Sequence, residues 1–259
     1  TTLQLVKGKN YEFVAAGVSG SHPFMIGESY GDTSSAHVIG GPLDSSNDGS
    51  KITLSIPSNY SGDFYYFCQN HSGMSQQFQI VAPNISVDLN SSVNLDMIWV
   101  EPGTFTMGSP ITEADRNSDE TEHNVTLTKG FYLGKYEVTQ AQYEAVMSGN
   151  TDGLSATPSN WPNNPNRPVE QVSWDDIQIF LTRLNTQQSA NIPAGWAYVL
   201  PTESQWEYAC RAGTTTVYSW GDDINATRAN YNSNIGQTRD VGQYAANPWG
   251  FFDMHGNVW

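Results

Sequence analysis

Residues 200–209 read Leu200-Pro201-Thr202-Glu203-Ser204-Gln205-Trp206-Glu207-Tyr208-Ala209. Thr202 with Gln205 forms a capping box, in which the hydroxyl accepts a backbone N–H of the first turn and the Gln side chain returns to the N–H of the cap. The spacing predicts a short helix that carries Trp206 and Cys210 on one face. It stops at Gly213, a residue free to take the left-handed conformation of a C-terminal cap. The same punctuation recurs upstream. Ser173 with Asp176 is a second box, with Asp in place of the usual Glu, and Ile177, Phe180, Leu181 and Leu184 follow at helical spacing. Thr139 can cap a third helix over 140–147. Pro-, Asn- and Gly-rich loops such as 158–168 lie between, and Met97-Ile98-Trp99-Val100 is strand-like and runs into Pro102-Gly103. From Leu95 onward, then, the residues read as a strand-like start followed by three short helices with loops between them.

The first third has a different texture. Leu3, Leu5, Tyr11 and Phe13 alternate around the turn Lys7-Gly8-Lys9-Asn10, and Ile52, Leu54 and Ile56 alternate before Pro57. Phe64 to Phe67 is a short aromatic run entered from Ser61-Gly62-Asp63, and residues 44–50 are a polar loop. Strand signals separated by turn chemistry predict an all-β domain over 1–82. The polar, aromatic-poor stretch 83–94 is the expected linker.

Of the 259 residues, 38% are apolar and 12% aromatic, enough to build real cores. There are 26 acidic and 11 basic side chains, a formal charge of -15. Such a chain repels nucleic acid and anionic lipid, which need clustered Lys and Arg. No stretch approaches the roughly 20 apolar residues of a membrane helix. The chain opens at Thr1 without Met and closes inside the apolar run from Pro248 to Trp259, so both ends read as cuts. The two cysteines, Cys68 and Cys210, fall in different expected domains, and no disulfide framework is expected.

Cys68-Gln69-Asn70-His71-Ser72-Gly73-Met74 spells C-x2-H-x2-M directly after the aromatic strand. A thiolate, two imidazoles and a long thioether contact form the trigonal arrangement of electron-transfer copper sites. The thiolate suits Cu(I), the imidazoles suit both oxidation states, and the thioether tunes the potential. The second imidazole must come from elsewhere: His22, in Ser21-His22-Pro23-Phe24, is the candidate, and His37 is the substitute. Otherwise Cys68 is a buried thiol, with His71 and Met74 as loop residues. The whole stretch resembles the cupredoxin (blue-copper) family, an all-β sandwich in which an early His meets a late Cys-His-Met loop. The resemblance implies His22, Cys68, His71 and Met74 as copper ligands, and a first strand missing from this chain.

Five phrases in the remainder occur in family order: residues 97–109, 131–140, 168–174, 200–209 and 250–259. They resemble the formylglycine-generating (sulfatase-modifying) enzymes. The resemblance implies, over 95–259, a mixed α/β fold with little regular structure, related to C-type lectins, and an oxygen-dependent, copper-assisted oxidation of a substrate cysteine to formylglycine in sulfatases. It also implies that the paired catalytic cysteines lie beyond Trp259, so no catalytic residue is assigned here. Cys210, on the apolar face of its helix, reads as structural. The family further implies structural calcium, held by Asp253 with the carbonyls of Gly256 and Val258, and a second site beginning at Asn230 and Tyr231, whose following loop is short. Hard oxygen ligands at a Gly-containing turn suit Ca2+, while a turn-stabilising role is the plainer reading of Asp253. His123, His255 and the acidic run 115–122 read as non-ligands. The expected partner is a protein or peptide such as a sulfatase, and the expected compartment is extracytoplasmic. Two other readings stand beside the oxidase. One is a lectin-like binding module displaying Trp161, Trp196, Trp220 and Trp249; the other is electron transfer or copper handling by the first domain.

Overall fold

The computed structural model describes residues 3–14, 21–44, 49–57, 60–114 and 116–258. The polar loop 44–50, the acidic run 115–122 and the closing aromatic run each extend partly outside them. The chain divides into two compact units, Thr1–Pro83 and Asn84–Trp259.

Among the described residues, the regular elements of the first unit are all strands: β1 (Gln4–Val6), β2 (Asn10–Val14), β3 (Phe24–Gly27), β4 (Val38–Gly40), β5 (Lys51–Ser55), β6 (Tyr65–Cys68), β7 (His71–Gln77) and β8 (Gln79–Val81). They form the sheets β2-β5-β4 and β3-β6-β7 and the parallel pair β1-β8. The alternation at Ile52, Leu54 and Ile56 is realised in full: all three are buried, with Thr53 and Ser55 turned outward. They share a core with Leu5, Ile26, Leu43, Phe64 and Phe78. β1 and β2 do not pair with each other across the turn at Lys7–Asn10. Lys7 N–H bonds Val81 and Gly8 N–H bonds Ile56, so the turn is a corner that passes the chain from one sheet to another. Gly8, at φ 77°, supplies the left-handed backbone this requires.

The second unit begins inside the expected linker. Ile85–Asp88 is a strand, β9, paired antiparallel with β10 (Asn94–Val100). Between them the Asn90 side chain accepts from Ser92 N–H at 2.9 Å and from Val93 N–H at 3.0 Å, closing a tight turn. The polar composition of 83–94 therefore reflects an edge strand and its turn rather than a free tether. Further strands are β11 (Gly103–Met107), β12 (His123–Leu127) and β13 (Phe131–Gly134), in sheets β13-β10-β9 and β11-β12.

β10 explains its own apolar run. Leu95 and Met97 face one way, against α1 (Gln140–Met147) and α2 (Trp174–Gln187), while Ile98 and Val100 face the other, against α3 (Glu203–Arg211) and Phe251. A strand covered on both faces loses the polar half of its alternation. Tyr143 of α1 stacks on Phe180 of α2 at 5.3 Å between ring centroids. These three helices open where the sequence placed them, on the boxes read at Ser173 and Thr202 and on the cap read at Thr139, which the structure shows to be a box as well, closed by Gln142. Trp206 departs from expectation: it is exposed, and the buried face of α3 is Tyr208, Ala209 and Cys210. The left-handed C-cap falls on Ala212 (φ 50°), one residue before Gly213 (φ 84°).

Glu207 and Arg211, one turn apart on α3, tie this helix to the end of β11. Glu207 Oε1 accepts from Gly108 N–H (2.9 Å) and from Arg211 Nε (2.7 Å), and Arg211 Nη2 donates to the Gly108 carbonyl (2.6 Å). Arg211→Ala removes two charge-assisted bonds from a half-buried site, and a loss of about 1.5–3 kcal/mol is expected in denaturant unfolding. A change below about 0.5 kcal/mol would show that the latch contributes nothing.

Candidate functional site

The first site is built by strand register. β3 pairs antiparallel with β6, Phe24 opposite Cys68, so the chain two residues before Phe24 runs alongside the turn that follows Cys68. β6 and β7 join through Gln69 and Asn70, with Cys68 directly opposite His71. Opposed residues in an antiparallel pair project to the same face, which is why two intervening residues bring thiol and imidazole together. The resulting distances are 3.3 Å from Cys68 Sγ to His71 Nδ1 and 3.8 Å from Cys68 Sγ to His22 Nδ1. The two imidazole rings lie 4.7 Å apart. One donor atom from each residue falls within 4.8 Å of the others. Cys68 is buried and both His are exposed, so the cluster sits at the rim of the sheet with its soft donor innermost.

Metal–nitrogen bonds of about 2.0 Å and metal–sulfur bonds of about 2.3 Å, meeting at roughly 110–120°, separate sulfur from nitrogen by about 3.5–3.7 Å. The observed separations bracket that value. Donor type and spacing both suit a copper-class ion. Met74 lies in a bulge: the register shifts between Phe67 and Cys68, leaving Ser72, Gly73 and Met74 between the paired positions His71 and Ser75. Its side chain is half exposed. His37, the substitute ligand, packs edge-on against Tyr60 and Phe64 and is not part of the cluster.

In the second unit, Asp253, Gly256 and Val258 fall in one turn, which also holds a residue that the sequence did not flag. Glu137, three residues after β13, accepts from Asn257 Nδ2 (2.8 Å) and Val258 N–H (3.3 Å). Burial, and the nearby Asp253 carboxylate, push its carboxyl up to about 8. Asp253 accepts from Gly242 N–H at 2.6 Å, and burial raises its carboxyl as well. Asn257 is a brace: its Oδ1 takes Arg239 N–H (2.8 Å) and Asn230 Nδ2 (3.2 Å). Asn230 also accepts Asn257 N–H at its carbonyl (2.7 Å), which ties the two segments together. A Cβ on Gly256 would collide with that same carbonyl. Tyr231 OH bonds the Ile224 carbonyl. The only hint of Glu137 in the sequence is a charge set between Tyr136 and Val138.

Cys210 and His255 lie side by side, Sγ to Nε2 3.6 Å, yet neither is activated. Burial pushes the thiol up to about 12 and the imidazole down to about 4. His255 Nε2 takes Ser219 N–H at 3.2 Å, so it acts as a neutral acceptor. His123 Nδ1 bonds the Thr121 carbonyl at 2.8 Å. With Cys68 replaced by Ser, labelling of Cys210 by a thiol reagent is expected to run at least about a hundredfold slower in the native chain than in denaturant. Equal rates would contradict this burial.

Comparison with known proteins bears on the second unit. A Paenibacillus barcinonensis protein named chaperone protein LppX is 31% identical over 218 residues, covering 65% of this chain and 71% of that one. The formylglycine-generating enzyme of Mus musculus is 25% identical over 223 residues, covering 63% of this chain. The match spans 56% of the mouse enzyme's length. The solved structure of PvdO from Pseudomonas aeruginosa superposes with a TM-score of 0.57 at 28% identity, covering 68% of this chain and 72% of that chain. Residues 86–259 match the sulfatase-modifying factor enzyme 1-like domain. With its strands, its three capped helices and this match over two thirds of its length, the chain belongs to the family of sulfatase-modifying factor enzyme 1-like domains.

Proposed function

We propose that the first unit, read as a cupredoxin-like domain, binds copper through Cys68, His71 and His22, with Met74 as the weak axial donor. The second unit then serves, in the whole protein, the oxidation of a substrate cysteine to formylglycine. The observation that carries the metal reading is the convergence of a thiol and two imidazoles from positions 22, 68 and 71 on one point. Bound copper would supply one-electron redox chemistry. The chain's own part is to hold three donors at fixed separation and to keep the thiol out of bulk water. Titrating the 259-residue chain with Cu(II) tests this: one equivalent should produce a thiolate-to-copper absorption band that the His71→Ala variant lacks. A wild type as colourless as His71→Ala under oxidising conditions ends the proposal.

For the second unit, the support is family membership and the name of the mouse relative. Its test is turnover of a cysteine-containing sulfatase peptide, read by mass spectrometry. The buried, coupled carboxylates of Glu137 and Asp253 also favour a hard cation such as Ca2+ at the 253–258 turn.

A second reading of the same unit is non-catalytic, and the burial of the Cys210 thiol, which keeps that residue from acting as a nucleophile, is in keeping with it. The domain then works as a rigid frame for binding, in keeping with a relative named as a chaperone. Binding of unfolded or peptide ligands without any oxidation would favour this reading over the oxidase.

A further inference from the structure

The turn between Cys68 and His71 also holds the third donor. Its first residue, Gln69, donates its backbone N–H to the Pro23 carbonyl at 3.0 Å. Its second, Asn70, donates its side-chain amide to the Ser21 carbonyl at 3.4 Å. These two acceptors flank His22. Consecutive residues of the loop that carries two donors therefore grip the chain on both sides of a donor 46 residues away from Cys68.

The grip matters because of how His22 is attached. Pro23 follows it, and a following proline confines a residue to extended backbone. The Gln69 bond then seats that peptide against the turn, as the β3–β6 register continues past Phe24 and Cys68. On the N-terminal side of His22, the Asn70 amide holds the Ser21 carbonyl against the same turn. A carbonyl accepts only from a donor, so an amide at position 70 suits the contact where a carboxylate of the same shape does not.

We propose that Asn70 is a positioning residue for the metal centre, setting His22 against Cys68 and His71 through the Ser21 carbonyl. This rests on the copper reading above. Asn70 touches no metal; it acts through the backbone of a ligand, in the way that groups behind metal ligands orient them.

The test compares wild type, Asn70→Ala, Asn70→Asp, His22→Ala and the His22→Ala/Asn70→Ala double variant, each as the full 259-residue chain. Cu(I) affinity is read by competition with a chromophoric chelator. Asn70→Ala and Asn70→Asp are each expected to bind about tenfold more weakly, the lower end for groups behind metal ligands. In the His22→Ala background, Asn70→Ala should add nothing, because the ligand that it positions is gone. An equal loss in both backgrounds would reduce Asn70 to a general stabiliser and overturn the proposal. A second readout needs no metal: the ring-proton contact between His22 and His71 in the NMR spectrum of the metal-free chain. It should be present in wild type and lost in Asn70→Asp; its persistence there overturns the proposal by itself. Loss of the ring contact in a series that binds no copper at all would uphold the positioning role and sink the copper reading instead.

Discussion

On the copper reading, Cys68→Ser is expected to weaken Cu(I) binding by the first unit at least about a thousandfold, and to lack the absorption band expected of the wild type with one equivalent of Cu(II). The thiol is the soft donor of the set and the buried one; His71 and His22 reach it from the exposed side at 3.3 and 3.8 Å. A hydroxyl in its place is a hard, neutral ligand that leaves two imidazoles with no anionic partner. His71→Ala and His22→Ala should each cost less than Cys68→Ser, since either leaves a Cys-His pair. The fold should survive all three, because the core lies at Leu5, Ile26, Ile52, Leu54, Phe64 and Phe78, away from the cluster. Circular dichroism checks that point, and chelator competition measures the affinities. Retention of wild-type affinity in Cys68→Ser would exclude a thiolate-centred site.

The second large effect concerns the pH dependence of folding. The Glu137 carboxyl titrates near 4.5 in an unfolded chain and at about 8 when folded, chiefly because burial penalises its charged form. Between those limits the folded state holds more protons than the unfolded one. Its contribution to stability is full below about 4.5 and is lost as pH rises through 8. Over the whole window the change amounts to a few kcal/mol, roughly 1.4 kcal/mol for each unit of displacement. Glu137→Gln keeps one oxygen acceptor, for either Asn257 Nδ2 or Val258 N–H, and cannot ionise. It should start from a lower stability but escape the fall with pH that the Glu137 carboxyl gives the wild type. His255 works in the opposite sense. Pushed down to about 4, it contributes fully above 6.5 and loses that contribution as pH falls toward 4. Glu137→Gln removes only the first slope, which separates the two. Urea titrations from pH 4 to 9, with EDTA and then with Ca2+, provide the measurement. Ca2+ should restore wild-type stability at high pH, and an identical pH profile for Glu137→Gln and wild type would refute the assignment.

Local chemistry was enough for the three helix starts. Each needs only a hydroxyl at the cap and an acceptor three residues on, and all three helices start where Thr139, Ser173 and Thr202 place them. The same holds for the inward face of β5, where a period of two in Ile52, Leu54 and Ile56 leaves a single buried arrangement. The pairing of Cys68 with His71 was equally legible, since two residues between them make a hairpin whose flanking side chains share a face.

Contacts between distant segments had to come from the tertiary structure. That His22 rather than His37 joins the cluster follows from the register of β3 on β6, a long-range pairing that no short window encodes. Residues 83–94 look like a tether because edge strands and turns share the composition of linkers; only their pairing with β10 makes them part of a sheet. Trp206 and Cys210 sit one turn apart, yet only Cys210 is buried, because what covers a helix face is decided by Phe251 and β10 rather than by the helix itself. Glu137 shows the same limit most sharply. A carboxylate is ordinarily a surface residue, and its burial comes from a turn 120 residues further on, where Asn257 supplies the hydrogen bond that makes burial tolerable. Charge, periodicity and capping are properties of neighbours along the chain, whereas desolvation and ligand convergence are properties of neighbours in space.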